Sequence, residues 1–435
     1  MKPPGCFLRF TKTDDGVISA LSLFLTIIGL MVAGIAVDYA NAVRAREQLQ
    51  ANADATAHAA LVAREFATSD AAIQTALALA YGTMPKTTYG AIVDASDIVF
   101  GTWDSQNHAF TADSTSRSAV KVVMHETTAY ANPVATYLLQ LVGVTHWDIS
   151  VSSIFESYYP SCLTEGFVGQ VAVDLQSNNS FLNGFCIHSN NAVSLNSNDS
   201  FEAGTVVSMP DPATIQLPSS GFSSNPGLQQ ALQKDSWKIR ILDQIDTIAS
   251  DLAVGDPRYT PSYIANRTPI AYSQNKIGTG DLTSGNIYTA SCNGNSPLNI
   301  SSGTVLSKIV LVTNCLINFG SDVQLQDVTI VSTNTSKGAI SGASGLEVGL
   351  NDNCAPGGGA QIITDGGMDF PSALNLFGGQ LIAKGDVSFS ANGNGVQGAS
   401  IISGGTVSGT SGMTMAYCGT GMEENYQAEY FRMVM

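Results

Sequence analysis

The side chains best equipped for catalysis are five aspartates in the distal half and five separate histidines. Asp322, Asp327, Asp352, Asp365 and Asp369 could supply the paired carboxylates that glycosidic-bond cleavage requires, one as acid and its partner as base or nucleophile. An enzyme of that kind acting on an acidic polysaccharide also needs cations. Between residues 301 and 420 the basic residues are Lys308, Lys337 and Lys384 alone, and Asp365-Gly366-Gly367 reads more simply as a turn. His58, His108, His125, His146 and His188 show no HExxH or other ligand spacing, so a centre built from His108, His125 and His146 would depend wholly on the fold. No GxSxG elbow and no phosphate-cradling glycine loop opens a helix. These patterns predict no catalytic residue, no metal and no cofactor.

The cysteines point to structure rather than chemistry. Cys6 stands apart near the start, whereas Cys162, Cys186, Cys292, Cys315, Cys354 and Cys418 lie in the distal part without any CxxC pair. That spacing favours disulfides in an oxidising space over zinc. Six cysteines allow many pairings, and loop closure favours near neighbours: Cys162 with Cys186, Cys292 with Cys315, Cys354 with Cys418. The formal net charge of −16 repels a phosphate backbone and excludes nucleic acid as a partner.

The chain that must position these residues is 435 residues long, enough for two or three folding units of about 150 residues each. From Val17 to Val37 it is uncharged and apolar, and as a helix this run spans about 31 Å, the thickness of a bilayer core. Val17, Leu25, Gly29, Gly34, Val37 and the terminating Asp38 mark this anchor. The run exceeds the usual 7–15 residues of a signal-peptide core, although Gly34-Ile35-Ala36 would suit a signal peptidase. Lys2, Arg9 and Lys12 on one side against Arg44 and Arg46 on the other place residues 1–16 in the cytoplasm, with a single pass through the lipid bilayer.

Beyond Asp38, Ala, Leu, Gln, Arg and Glu dominate to about Phe66 without Gly or Pro, so the helix is expected to continue as one rod of about 75 Å. A second helix is predicted over 70–81. A hairpin follows from Ile98 through Trp103 and the turn 104–107 to Phe110, then a strand over Ala119–Thr127, a short helix from Asn132 to Val142, and a strand over Asp148–Phe155.

The order Asp14-Asp15-Gly16, an uncharged span, then Gly34, Asp38, Arg44, Arg46, Leu49, Gln50, Ala53, Asp54 and Ala55 resembles the amino-terminal signature of TadG-like proteins of the Flp (tight adherence) pilus-assembly system. The later stretch from Val99 through Trp103 to Glu156 is similar to that family's exported domain, so the resemblance covers roughly residues 13–160. It implies a pilin-like α+β exported domain in the periplasm, an anchor in the bacterial inner membrane, and pilus or secretion machinery as partners. Two departures matter. The fifth residue after Gly16 is Leu21, not the Glu of processed pilin-like relatives, and Asp174-Leu175-Gln176-Ser177 lacks the spacing of a von Willebrand A metal motif.

From residue 161 to 435 the composition turns rich in Gly, Asn and Ser, with 22 of the 42 glycines between residues 301 and 420. Strand-length apolar runs separated by turns predict a parallel β-solenoid, with a β-sandwich as the alternative and no strict repeat, and an amphipathic helical insertion is predicted near 226–253. The fold class is therefore mixed: a membrane helix continuing into residues 38–160, then a mostly β domain. The function expected is a non-catalytic assembly component of the pilus system. The alternatives are a tethered adhesin or carbohydrate-binding protein with a glycan partner, and a β-helix polysaccharide-degrading enzyme.

Overall fold

The computed structural model describes residues 15–435, with side-chain surroundings from Ile18 onward apart from 392–394. Cys6 and almost all of the predicted cytoplasmic segment lie outside the described residues. The chain forms two compact units, one running to Tyr158 and taking in Glu429–Met435, the other Tyr159–Ala428. The last seven residues, expected in the distal domain, thus belong to the first unit: Tyr430–Met433 pairs antiparallel with Ile149–Tyr158.

In the first unit, α1 (Asp15–Arg64) is a single helix of 50 residues. Its outer half packs on α2 (Ser69–Thr83), which starts where the Thr68 hydroxyl accepts from the Ala71 N–H at 3.4 Å. Small residues make this contact. Ala53, Ala57 and Ala60 of α1 and Ala72, Ala76 and Ala80 of α2 are fully buried, so the backbones approach closely. Asn52 ties the pair, donating to the Ala80 carbonyl at 3.1 Å and accepting from Thr83 Oγ1 at 2.6 Å. The helices cover an antiparallel sheet in the order Ala109–Ala112, Ile98–Asp104, Ala119–Glu126, Ile149–Tyr158, Tyr430–Met433. Alternation along Ala119–Glu126 buries Val120, Val122 and Met124 under α1.

The expected helix from Asn132 to Val142 does not form. Val134–Ala135 pairs with His146–Trp147, and only Leu139–Val142 coils, as a 3-10 turn. Asn132 does not cap a helix. It donates to the carbonyls of Tyr89, Ala91 and His125.

The second unit is a parallel β-solenoid of about 12 turns, which excludes the sandwich. A full turn has three strands, as in Gly166–Gly169, Ala172–Leu175 and Ser180–Leu182. Inward positions fill the core with Phe167, Val173, Leu175 and Phe181, and Phe181 stacks on Phe201 of the next turn at 4.7 Å. Contrary to expectation, a strict repeat exists here. Residues 166–182 pair with 186–201 at a constant offset of 20 residues. Asn178 and Asn198 take left-handed backbone at the same corner, with φ of 67° and 65°, a conformation that asparagine tolerates.

Turn order in space departs from turn order in sequence. The strand Gly166–Gly169 pairs with Cys186–Ser189 on one side and with Ser400–Ser403 on the other. The first turn therefore lies inside the stack, and the last turn closes onto it. The chain builds outward from Gly166 through Val206–Met209 to Leu232–Lys234, returns along the side, and restarts at the far end with Asn266–Tyr272. The return crosses about ten turn spacings, roughly 48 Å. α3 (Ile241–Val254) spans about 21 Å of that distance, burying Ile241, Ile245, Ile248 and Leu252. The predicted insertion is thus helical over α3 and over one short turn at Leu228–Ala231. Leu232–Lys234 instead joins the stack edge at Val207, and Trp237 stacks on His188 at 4.1 Å.

Candidate functional site

The anchor is the feature of the first unit that faces away from its own core. Leu25, Val37 and the other large apolar side chains from Ile18 to Val37 are exposed, so the helix is apolar all round and, among the described residues, covered only beside Gly34. It is long and apolar enough to cross a membrane. Val17 lies in the same helix. A Cβ added at Gly29 would meet nothing, whereas one at Gly34 would stand 3.0 Å from Leu138 Cβ. Asp38 is buried, and its carboxylate accepts from three consecutive backbone N–H groups: Tyr137 at 2.6 Å, Leu138 at 2.9 Å and Leu139 at 2.6 Å. The helix thereby holds the segment after Pro133 in place of the predicted helix. Sequence reading marked Gly34 and Asp38 as helix residues. Their common partner, a segment about 100 positions later, carried no local signal.

In the solenoid the cysteines pair as Cys162–Cys186, Cys292–Cys315 and Cys354–Cys418. Corners are built from stacked polar side chains. Thr313, Ser332, Thr364, Ser403 and Ser189 occupy one corner, buried, and each hydroxyl accepts a backbone N–H two residues on, as Ser403 does from Gly405 at 3.0 Å. Another corner stacks Asn179, Asp199 and Asn225. Asp199 Oδ1 accepts from Asn179 N at 2.8 Å, and Asn225 Oδ1 from Asp199 N at 2.9 Å. Burial lifts the Asp199 carboxyl to about 7, against the hydrogen bonds from Asn179. The closing seam carries a second buried carboxylate. Glu165 accepts from Cys418 N at 2.6 Å and from Gly419 N, and burial raises its pKa despite these donors.

The five aspartates are placed at different points of the solenoid. Asp322 and Asp327 sit at left-handed corners, and Asp327 Oδ1 holds Gly358 N at 2.7 Å. Asp352 holds Ala355 N at 3.0 Å, and Asp369 is exposed on the strand beside Ser341. Asp365 binds Lys384 Nζ at 2.7 Å, and Lys384 reaches Asp246 of α3 at 2.9 Å. Burial raises Asp365 above the usual carboxylate range even so. This trio ties the return helix to the stack.

His125 stacks on Tyr130 at 4.3 Å and bonds Ser150, His146 bonds Thr128 and Thr145, and His108 lies beside Trp103. No group of three or more His, Cys, Asp or Glu side chains among the described residues is placed to hold a metal. Outward amides bond each other from turn to turn, as Asn266 does to Asn286 at 2.9 Å and Asn198 to Asn178 at 3.3 Å.

No curated protein and no solved structure matches the chain. The Flp pilus-assembly TadE/G-like family model matches residues 16–69, which is α1 with its Asp38 clamp and the entry to α2. The match is shorter than the expected resemblance over 13–160 and leaves the antiparallel sheet outside it. Residues 16–69 thus carry a TadE/G-like segment on a helix long and apolar enough to cross a membrane. The model of the domain of unknown function DUF7867 runs from the first residue of the strand at Gly166 to Gly419, just past the closing seam. With that model matched over residues 166–419, more than half its length, the chain belongs to the DUF7867 family.

Proposed function

We propose that this chain is a non-catalytic assembly or accessory component of an Flp/Tad-type pilus and secretion system. It crosses the bacterial inner membrane once and holds Tyr159–Ala428 in the periplasm. The observation that carries the reading is the family match over 16–69 on a helix long enough to span. Three disulfides support an oxidising compartment for the solenoid. Ladders that bond from turn to turn make the solenoid itself stiff, suited to presenting a contact surface.

The test is chemical crosslinking in intact cells, followed by affinity purification of the full chain from solubilised membranes. Recovery of pilus or secretion components is expected. Recovery of none, or protease protection of the solenoid in spheroplasts, overturns the reading.

A further inference from the structure

We infer that the loop Tyr137–Val144 is a second membrane contact, dipping into the outer half of the bilayer beside the spanning helix. The occupant of its apolar face is lipid. This rests on reading Val17–Val37 as a membrane span.

Four observations converge. Leu138, Leu141, Val142 and Val144 are exposed, Leu141 at 82% and Val142 at 57%, and all four sit within seven residues. The loop turns back along the helix toward its membrane end. Leu138 abuts Gly34, and Leu138, Leu139, Leu141 and Val142 line a cleft with Ile27, Leu30, Met31 and Ile35. Ile27 lies eleven residues before Asp38, about 16 Å along the helix axis, so this cleft lies at hydrocarbon depth. A surface continuous with the span is wetted by the same solvent as the span.

Charge agrees. From Thr127 to Trp147 the chain contains no Asp, Glu, Lys or Arg. Tyr39 and Tyr137, both exposed, stand at the level of Asp38, where aromatic side chains mark a membrane interface.

The backbone supplies the most discriminating observation. A loop in hydrocarbon must satisfy its own polar groups. Here Asp38 takes the N–H groups of Tyr137, Leu138 and Leu139. Leu141 N donates to Leu138 O, Gly143 N to Gln140 O, and Val144 N to Leu139 O. Thr136 donates to Thr145 O from its backbone and to Val144 O from its hydroxyl, and the Gln140 amide folds back to Tyr137 O at 2.8 Å. These bonds satisfy the N–H groups of Tyr137, Leu138, Leu139, Leu141, Gly143 and Val144 from within the unit. The Asp38 clamp sets the depth at which the loop enters.

The experiment uses the full chain with Cys6→Ser, reconstituted in phosphatidylcholine/phosphatidylglycerol vesicles. A solvent-sensitive fluorophore is placed by Leu141→Cys, with Val142→Cys as a second site, Ser105→Cys in the exposed hairpin turn as the aqueous reference, and Phe24→Cys as the span reference. Quenching by lipids carrying a nitroxide on the acyl chain is expected to be several-fold stronger at 141 or 142 than at 105, with blue-shifted emission.

Emission and quenching at both sites equal to those at 105, with 24 quenched, overturn the proposal and leave the span intact. Blue-shifted but unquenched emission at both sites means that protein, a second copy or another chain, covers the loop, and it overturns the proposal too. If 24 itself is unquenched, the span reading fails and the proposal falls with it.

Discussion

Replacing Asp199 by Asn should stabilise the solenoid and remove a defined pH dependence. Asp199 is fully buried, its Oδ2 has no partner among the described residues, and its carboxyl titrates at about 7 in the fold against an ordinary 3.8. The folded state therefore keeps a proton that the unfolded chain has released. Stability is greatest below the unfolded value and falls as pH rises, until the folded group ionises near 7.

The slope is about 1.4 kcal/mol per pH unit, so from about pH 5 to about pH 8 the loss from this group is on the order of 3 kcal/mol. Asparagine avoids the loss and has a place ready. One turn earlier Asn179 donates its amide to Gln176 O at 2.6 Å, and residues 199 and 196 stand 20 positions on from 179 and 176.

The assay is urea denaturation of the detergent-solubilised chain, disulfides intact, comparing parent and Asp199→Asn at the two pH values. Other groups act in the same range. His188, whose pKa burial lowers, makes the fold lose stability on acidification. The difference between variant and parent cancels such terms. That difference should grow by about 2–3 kcal/mol from acid to alkaline pH. A constant difference, or a variant less stable than the parent at alkaline pH, refutes the argument.

Two further outcomes follow from the same structure. Replacing Cys354 and Cys418 by Ser opens a link across 64 residues and should lower stability by about 4 kcal/mol in the chain-entropy picture. The denaturation midpoint of the double variant should fall below that of the oxidised parent, with Cys162–Cys186 and Cys292–Cys315 intact in both. Asp38→Ala should raise amide hydrogen exchange at Tyr137, Leu138 and Leu139 at least about tenfold, while exchange in the strand Ala119–Glu126 stays unchanged. Equal exchange in parent and variant would mean that the carboxylate does not hold this loop.

Much of the local structure was legible because it is written in short-range pattern. Alanine-rich continuity beyond Asp38 specified α1, and alternation in Ala119–Glu126 specified a strand with Val120, Val122 and Met124 inward. The near-neighbour pairing of the cysteines follows from the closeness of adjacent turns: Cys292 and Cys315 stand one local period of 23 residues apart, and Cys162, just before the first turn, reaches Cys186 on the next. The 20-residue repeat was also in the sequence, as Ser177-Asn178-Asn179-Ser180-Phe181 against Ser197-Asn198-Asp199-Ser200-Phe201. Insertions in later turns obscured it.

The segment from Asn132 to Val142 departs from the helix that Pro133 and the leucines predict, because that pattern is only local. The deciding partner, Asp38, sits about 100 residues away.

The sequence alone determined that an apolar rod precedes a β-rich, disulfide-linked array, since hydropathy, propensity and spacing act over a few residues. Only the tertiary structure decided the order of the turns. Gly166–Gly169 offers two hydrogen-bonding edges, and whether the chain's own end or nothing occupies the second depends on a return path of about 48 Å. The final strand at Tyr430 and the clamp on Tyr137 belong to the same class. Each is a pairing between groups far apart in the chain, fixed by which edges and donors remain open after the local elements have formed.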